Sequence, residues 1–200
     1  FFHDHVAILQ NLAKNNHMVD PDETGKDRMR DFITAHARGI SIISRIDCEG
    51  RILHAEPVEP NIGGQPIVAK EAFEEARRTH QIAVSDVFTN RRGFRMIIVH
   101  VPIIKNEAFA GTIAVQFPFD YVAGQYLEGI RIGRDGYAWM ISRSGIELFC
   151  PVPGHVGNSV MDNCRDFPDI LAMAKKMMQG ESGMATYRFD RVRGDVVRST

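Results

Sequence analysis

The chain is poor in cysteine, holds a single tryptophan, carries almost no net charge and has no long apolar run, and each shortage closes a route. Cys48, Cys150 and Cys164 are too few and too scattered for a zinc ribbon, and no paired CxxC points to redox or haem chemistry. A formal net charge of -1 leaves no basic excess for a nucleic-acid partner. No stretch reaches the ~20 consecutive apolar residues of a bilayer-crossing helix. The opening "FFHDHVAILQ" also lacks the charged-then-apolar layout of a secretory signal, so any membrane anchor is expected outside this chain. Catalytic signatures are missing as well. No nucleophile with a base and no carboxylate pair stands at recognisable spacing, and "NIGGQP" lacks the lysine and serine of a phosphate loop. His3 and His5 of "HDH" fall on different faces of a helix. Neither an enzyme, a metal site nor a bound cofactor is expected.

What is present is the composition of a folded globular protein, 44% hydrophobic and 24% charged, arranged in an ordered alternation. Phe2, Val6, Leu9 and Ala13 recur at helical spacing, with Phe1, Ile8 and Leu12 on a neighbouring stripe, which predicts an amphipathic helix over 1–15. A second helix is expected over 22–37, with Met29, Phe32, Ile33 and His36 on one side. The period then changes to two: "ISIISRID" and "GRILHAE" read as strands joined by a tight turn at Gly50. A proline- and glycine-rich loop leads to a helix over 67–79. Three strands follow, "IAVSDVFTN", "RGFRMIIVHVPI" and "FAGTIAVQF". The expectation is one five-stranded antiparallel sheet with helices on one side.

The order then starts again. "SRIDCEGRILHAEP" at 44–57 has a counterpart in "WMISRSGIELFCPVP" at 139–153, each an apolar run, a polar turn with one glycine, a second run and a proline. A connecting helix at 119–131 precedes the second hairpin. A loop, a helix over 168–178, a strand "GMATYRF" and a turn at Arg193 and Gly194 follow it. This second unit ends short of the first unit's strand count, so the natural chain is expected to continue. Cys150 and Cys164 lie across its loop, and two readings stand, a disulfide or buried thiols.

On "RIDCEGRI", "VSDVF", "GFRMIIVHVPI", "FAGTIAVQF" and "GRDGYAWMISRSGIEL", the chain resembles the double Cache domain, the PAS-like extracytoplasmic sensor of bacterial receptors. The resemblance implies an α+β fold: a long N-terminal helix followed by two tandem PAS-like subdomains with antiparallel sheets flanked by helices. The corresponding domains are N-terminal helices at 1–37, serving as a dimerisation stalk, a membrane-distal ligand-binding subdomain at 38–118, the connecting helix at 119–131, and an incomplete membrane-proximal subdomain at 132–200. It implies the periplasmic part of an inner-membrane receptor, a histidine kinase first among the candidates, with a small-molecule ligand and a homodimer formed through the N-terminal helix. An intracellular PAS-type module and a ligand-free dimerisation domain are the competing readings.

In the amino-acid-binding branch of that family, an arginine early in the helix after the first hairpin and an aspartate on the last strand grip the ligand. Here those slots fall at Lys70 and Gln116, with Ala72 and Phe73 where an aromatic pair would stand. Gln116 cannot pair with an ammonium as a carboxylate does, whereas Lys70 still attracts an anion, so a small carboxylate or other polar metabolite is expected over a zwitterion. Ser85, Asp86 and Phe88 of "VSDVF" are further candidates for the pocket. Period-two counting puts Arg95 and His100 on opposite faces of one strand, so one of them should meet the ligand. A solvated Arg95 and a core His100 are the plainer readings. Within a cavity, His100 is expected to titrate near neutrality.

Overall fold

The computed structural model describes residues 2–19, 21–58, 60–90, 92–133, 136–187, 190–193 and 196–199. They form two compact units, Phe1–Val122 and Ala123–Thr200.

The first unit opens with α1 (Phe2–Ala13), α2 (Asn16–Val19) and α3 (Glu23–Ala35). The apolar spacing of α1 buries Leu9 and Ala13 but leaves Ile8 40% exposed. Asp22 starts α3 from an extended backbone, its carboxylate accepting the Gly25 N–H at 2.9 Å. The other oxygen lies 2.7 Å from His17 Nδ1, which ties α2 to α3. Strands β1 (Ile42–Ile46) and β2 (Ile52–Glu56) make the first hairpin, with Gly50 at a φ of +79°. After the loop come α4 (Lys70–Thr79), β3 (Ala83–Val84), β4 (Phe88–Thr89), β5 (Arg95–Lys105) and β6 (Ala108–Pro118).

These strands build one antiparallel six-stranded sheet in the order β2-β1-β6-β5-β3, with β4 also paired to β5. Six replaces the expected five because "IAVSDVFTN" is two short strands. Between them the Ser85 hydroxyl accepts the Ile98 N–H at 2.9 Å, a side chain taking the place of a backbone partner.

Helices cover both faces of the sheet, which corrects the expectation of one side. Residues Met96 to Val101 are all buried, as a strand with cover on each face must be. The Arg45 guanidinium, 2% exposed, donates to the carbonyls of Met18, Val19 and Ala110, so its face meets the N-terminal helices. Its neighbour Ile46 points the other way and packs with Ile67, Phe73, Ile98 and Ala114 beneath α4. Helix α5 (Phe119–Tyr126) follows β6 directly.

The second unit contains β7 (Arg131–Ile132) paired with β8 (Gly136–Tyr137), and β9 (Met140–Ile141) paired with β10 (Glu147–Phe149). The latter pair is the second hairpin, with Gly145 at +82°. Ser159 caps a short α6 (Val160–Asn163), unforeseen in the sequence. With α7 (Pro168–Met178) it packs Val160, Cys164, Ile170 and Ala174 against Trp139, Ile141 and Phe167. The expected strand at 183–189 is not formed over 183–187: those residues are irregular, all exposed, and Met184 is entirely in solvent. They bury no apolar face, and a ladder without one gains little. Arg188, Phe189 and the turn residue Gly194 lie outside the described residues. A final hairpin joins β11 (Asp190–Arg193) and β12 (Val196–Ser199). Cys48, Cys150 and Cys164 are free thiols.

Candidate functional site

The α4 face of the six-stranded sheet holds the chain's most unusual polar group. His100 sits on β5 between Ala83 of β3 and Ala114 of β6, wholly buried. Its Nδ1 lies 3.1 Å from the Thr112 hydroxyl, itself buried, while its Nε2 has no hydrogen-bond partner among the described residues. Phe73 of α4 meets the imidazole edge-on at 5.8 Å and Phe109 at 5.7 Å. Burial pushes the imidazole pKa down from 6.5 to about 4. At neutral pH the ring is therefore uncharged, one nitrogen donating and the other accepting. This corrects the expectation of titration near neutrality: the site is too dry to stabilise the imidazolium.

Strand register extends the face. Gln116 pairs with Ile98 and with Ile42, is half-buried, and commits its side-chain amide to no partner among the described residues. Phe88 packs at the edge of the Ile46, Phe73 and Ile98 cluster. Ser85 shares the region, its hydroxyl donating to the Asp86 carbonyl at 2.8 Å. Buried Ser44 and Thr112 belong to the same face by period-two counting and were not singled out in the sequence. Their signal was there: each alternates with residues of the opposite face along "ISIISRI" and "TIAVQF".

The remaining candidates stand apart. Lys70 is the exposed first residue of α4. The residue before it, Ala69, takes a left-handed φ of 53° and supplies no side-chain cap, so the first N–H groups of the helix stay open to an anion. Asp86 is exposed at the break between β3 and β4. Arg95 lies on the opposite face from His100, paired with Asp120 of α5 and stacked 5.1 Å above the Phe119 ring.

No family model and no curated protein sequence matches the chain. Solved structures do. The extracellular domain of the histidine kinase mmHK1S-Z2 superposes with a TM-score of 0.67 at 20% identity, over 94% of this chain and 79% of that one. The ligand-binding domain of the Pseudomonas aeruginosa amino-acid chemoreceptor PctC, solved with GABA, gives 0.64 at 14% identity over 96% and 80%. That of the Pseudomonas fluorescens chemoreceptor CtaA, solved with L-serine, gives 0.64 at 15% over 82% and 70%. The two chemoreceptor structures are ligand-binding domains, and the kinase structure is an extracellular domain. The mixed helix and antiparallel-sheet architecture of this chain is thus the fold of extracellular sensor domains of histidine kinases and chemoreceptors.

Proposed function

We propose that the chain is the extracytoplasmic ligand-sensing segment of a bacterial inner-membrane receptor, a histidine kinase first among the candidates. It binds a small carboxylate or other polar metabolite on the α4 face of its six-stranded sheet. The observation that carries this reading is His100: a fully buried neutral imidazole with Nε2 unpartnered, on a face that also offers Gln116 and Ser85. A buried polar atom without a partner is rare in a native fold, and a ligand atom is the partner that this reading supplies.

Lys70 and the open N-terminus of α4 add attraction for an anion. The neighbours were solved with GABA and L-serine, which both carry a carboxylate and an amine. Gln116, standing where the amino-acid-binding branch of double Cache domains has an aspartate, favours a ligand that needs no ammonium partner.

The layout we propose is two tandem PAS-like subdomains, 38–118 distal and 132–200 proximal to the membrane, joined through 119–131. The N-terminal helical segment at 1–37 forms a homodimer, for which Ile8 and half-buried Leu12 of α1 leave an apolar stripe. No helix among the described residues is long and apolar enough to cross a membrane. Signalling is a population shift. Ligand contact at His100 biases β5, and the Arg95 clamp on Asp120 and Phe119 carries that bias into α5.

A thermal-shift screen of the chain against small carboxylates, amino acids, amines and sugars, followed by calorimetry, tests the site. A binder is expected to raise the melting temperature by several degrees. Lys70→Ala and Gln116→Ala should each weaken it about tenfold or more, the equivalent of ~1.4 kcal/mol, while Arg95→Ala, on the other face, leaves affinity unchanged. A binder indifferent to Lys70 and Gln116, or the absence of any shift, overturns the assignment.

A further inference from the structure

The second unit contains a side-chain cluster that ligand sensing on the first leaves unused. Glu147 opens β10 and is completely buried. The Trp139 Nε1–H donates to its Oε2 at 2.9 Å and the Asn163 Nδ2–H to its Oε1 at 2.8 Å, both neutral donors. Among the described residues no lysine or arginine reaches it. A buried carboxylate without a fixed cation is costly, and neutral donors offset only part of that cost.

His155 Nδ1 lies 3.3 Å from each Glu147 oxygen and is hydrogen-bonded to Oε2. The Cys150 thiol completes the group, and the three ligating atoms all lie within 4.8 Å of one another. Two ligands held at ~2.0–2.2 Å from one tetrahedral zinc ion stand about 3.3–3.5 Å apart, the separation that His155 and Glu147 already have.

The loop is built around this point. The Glu147 N–H donates to the Asn158 carbonyl at 2.9 Å and its carbonyl accepts the Gly157 N–H at 2.8 Å. The Asn163 amide that holds Glu147 also donates to the His155 carbonyl at 2.9 Å, so one side chain orients two members of the cluster. Such an outer partner is what ligand sets use to fix their geometry.

We propose that Glu147, Cys150 and His155 bind one borderline-soft divalent cation, with zinc the best fit, held in the second unit with water completing its coordination. A thiolate, an imidazole and one carboxylate suit zinc, whereas calcium and magnesium take oxygen ligands. On binding, the Cys150 thiol releases its proton to solvent and the cation neutralises the buried carboxylate. The spacing E-x2-C-x4-H carries no CxxC signature, which is why the sequence alone passes over it.

Chelator-stripped chain titrated with zinc by calorimetry, and with cobalt for its visible spectrum, tests the proposal. One equivalent of metal and a thiolate-to-cobalt charge-transfer band are expected. Cys150→Ser and His155→Ala, both at partly exposed positions, should each weaken zinc binding by about a hundredfold, and Asn163→Ala by ~10–100-fold. Cys164→Ala, outside the cluster, retains full affinity. Metal uptake that survives both Cys150→Ser and His155→Ala unchanged overturns the site, as does uptake no tighter in the wild type than in those variants when melting curves show all of them folded.

Discussion

His100 has one nitrogen satisfied and one without a partner among the described residues, in surroundings dry enough to keep it neutral, and that state leaves a mark on stability. Its folded pKa of about 4 lies below the ordinary 6.5 of an unfolded chain. Between those values the unfolded state binds more protons, so the contribution is fully present above pH 6.5 and is lost as the pH falls toward 4. The loss should approach ~3 kcal/mol. Urea denaturation at pH 7, 5.5 and 4.5 measures it, and His100→Gln, with nothing to titrate there, should flatten the slope relative to wild type. Parity along "RMIIVHV" separates Arg95 from His100, but it cannot say which face meets α4. That depends on Asp120 and Phe119, which reach Arg95 only once β6 has paired with β5. Arg45 shows the same dependence: within the strand "ISIISRID" nothing marks it out, yet its partners are carbonyls on α2 and β6.

Helix α4 holds its place through one stripe, Ala72, Phe73 and Ala76, while Glu71, Glu74, Glu75, Arg77 and Arg78 face solvent. Phe73, 1% exposed and touching both His100 and Phe109, is the anchor of that stripe. Phe73→Ala should destabilise the chain by about 3–5 kcal/mol. Hydrogen exchange should show amides of α4 opening well before those of β5 and β6, and protection unchanged from wild type would contradict this. Elements with a strong period were legible, α1, α3, β5, β6 and α7 among them. The breaks were not. Splitting 82–90 into β3 and β4 depends on a serine hydroxyl standing in for a backbone acceptor, which no hydrophobic pattern encodes. "GMATY" has strand-like residues, yet all five stay exposed and outside any strand, so propensity alone misleads there.

At the scale of the whole chain, the complete six-stranded sheet and its cover on both faces fall within Phe1–Val122. A fragment of those residues should fold cooperatively by itself and keep any ligand-induced rise in melting temperature seen with the full chain. Circular dichroism and a thermal melt decide it, and a fragment without a cooperative transition would mean that the second unit completes the first. The sheet has two outer borders. On one, the Gly64 N–H and the Gln65 carbonyl bond both backbone groups of Ile52 in β2, and Pro57 follows the strand. On the other, β3 and β4 are two residues each, separated by exposed Asp86. Each border is thus interrupted, which shortens the template that a second copy of the chain needs for adding its own strands. Borders interrupted in this way leave less template for fibrous self-association wherever copies of the chain meet at high local concentration.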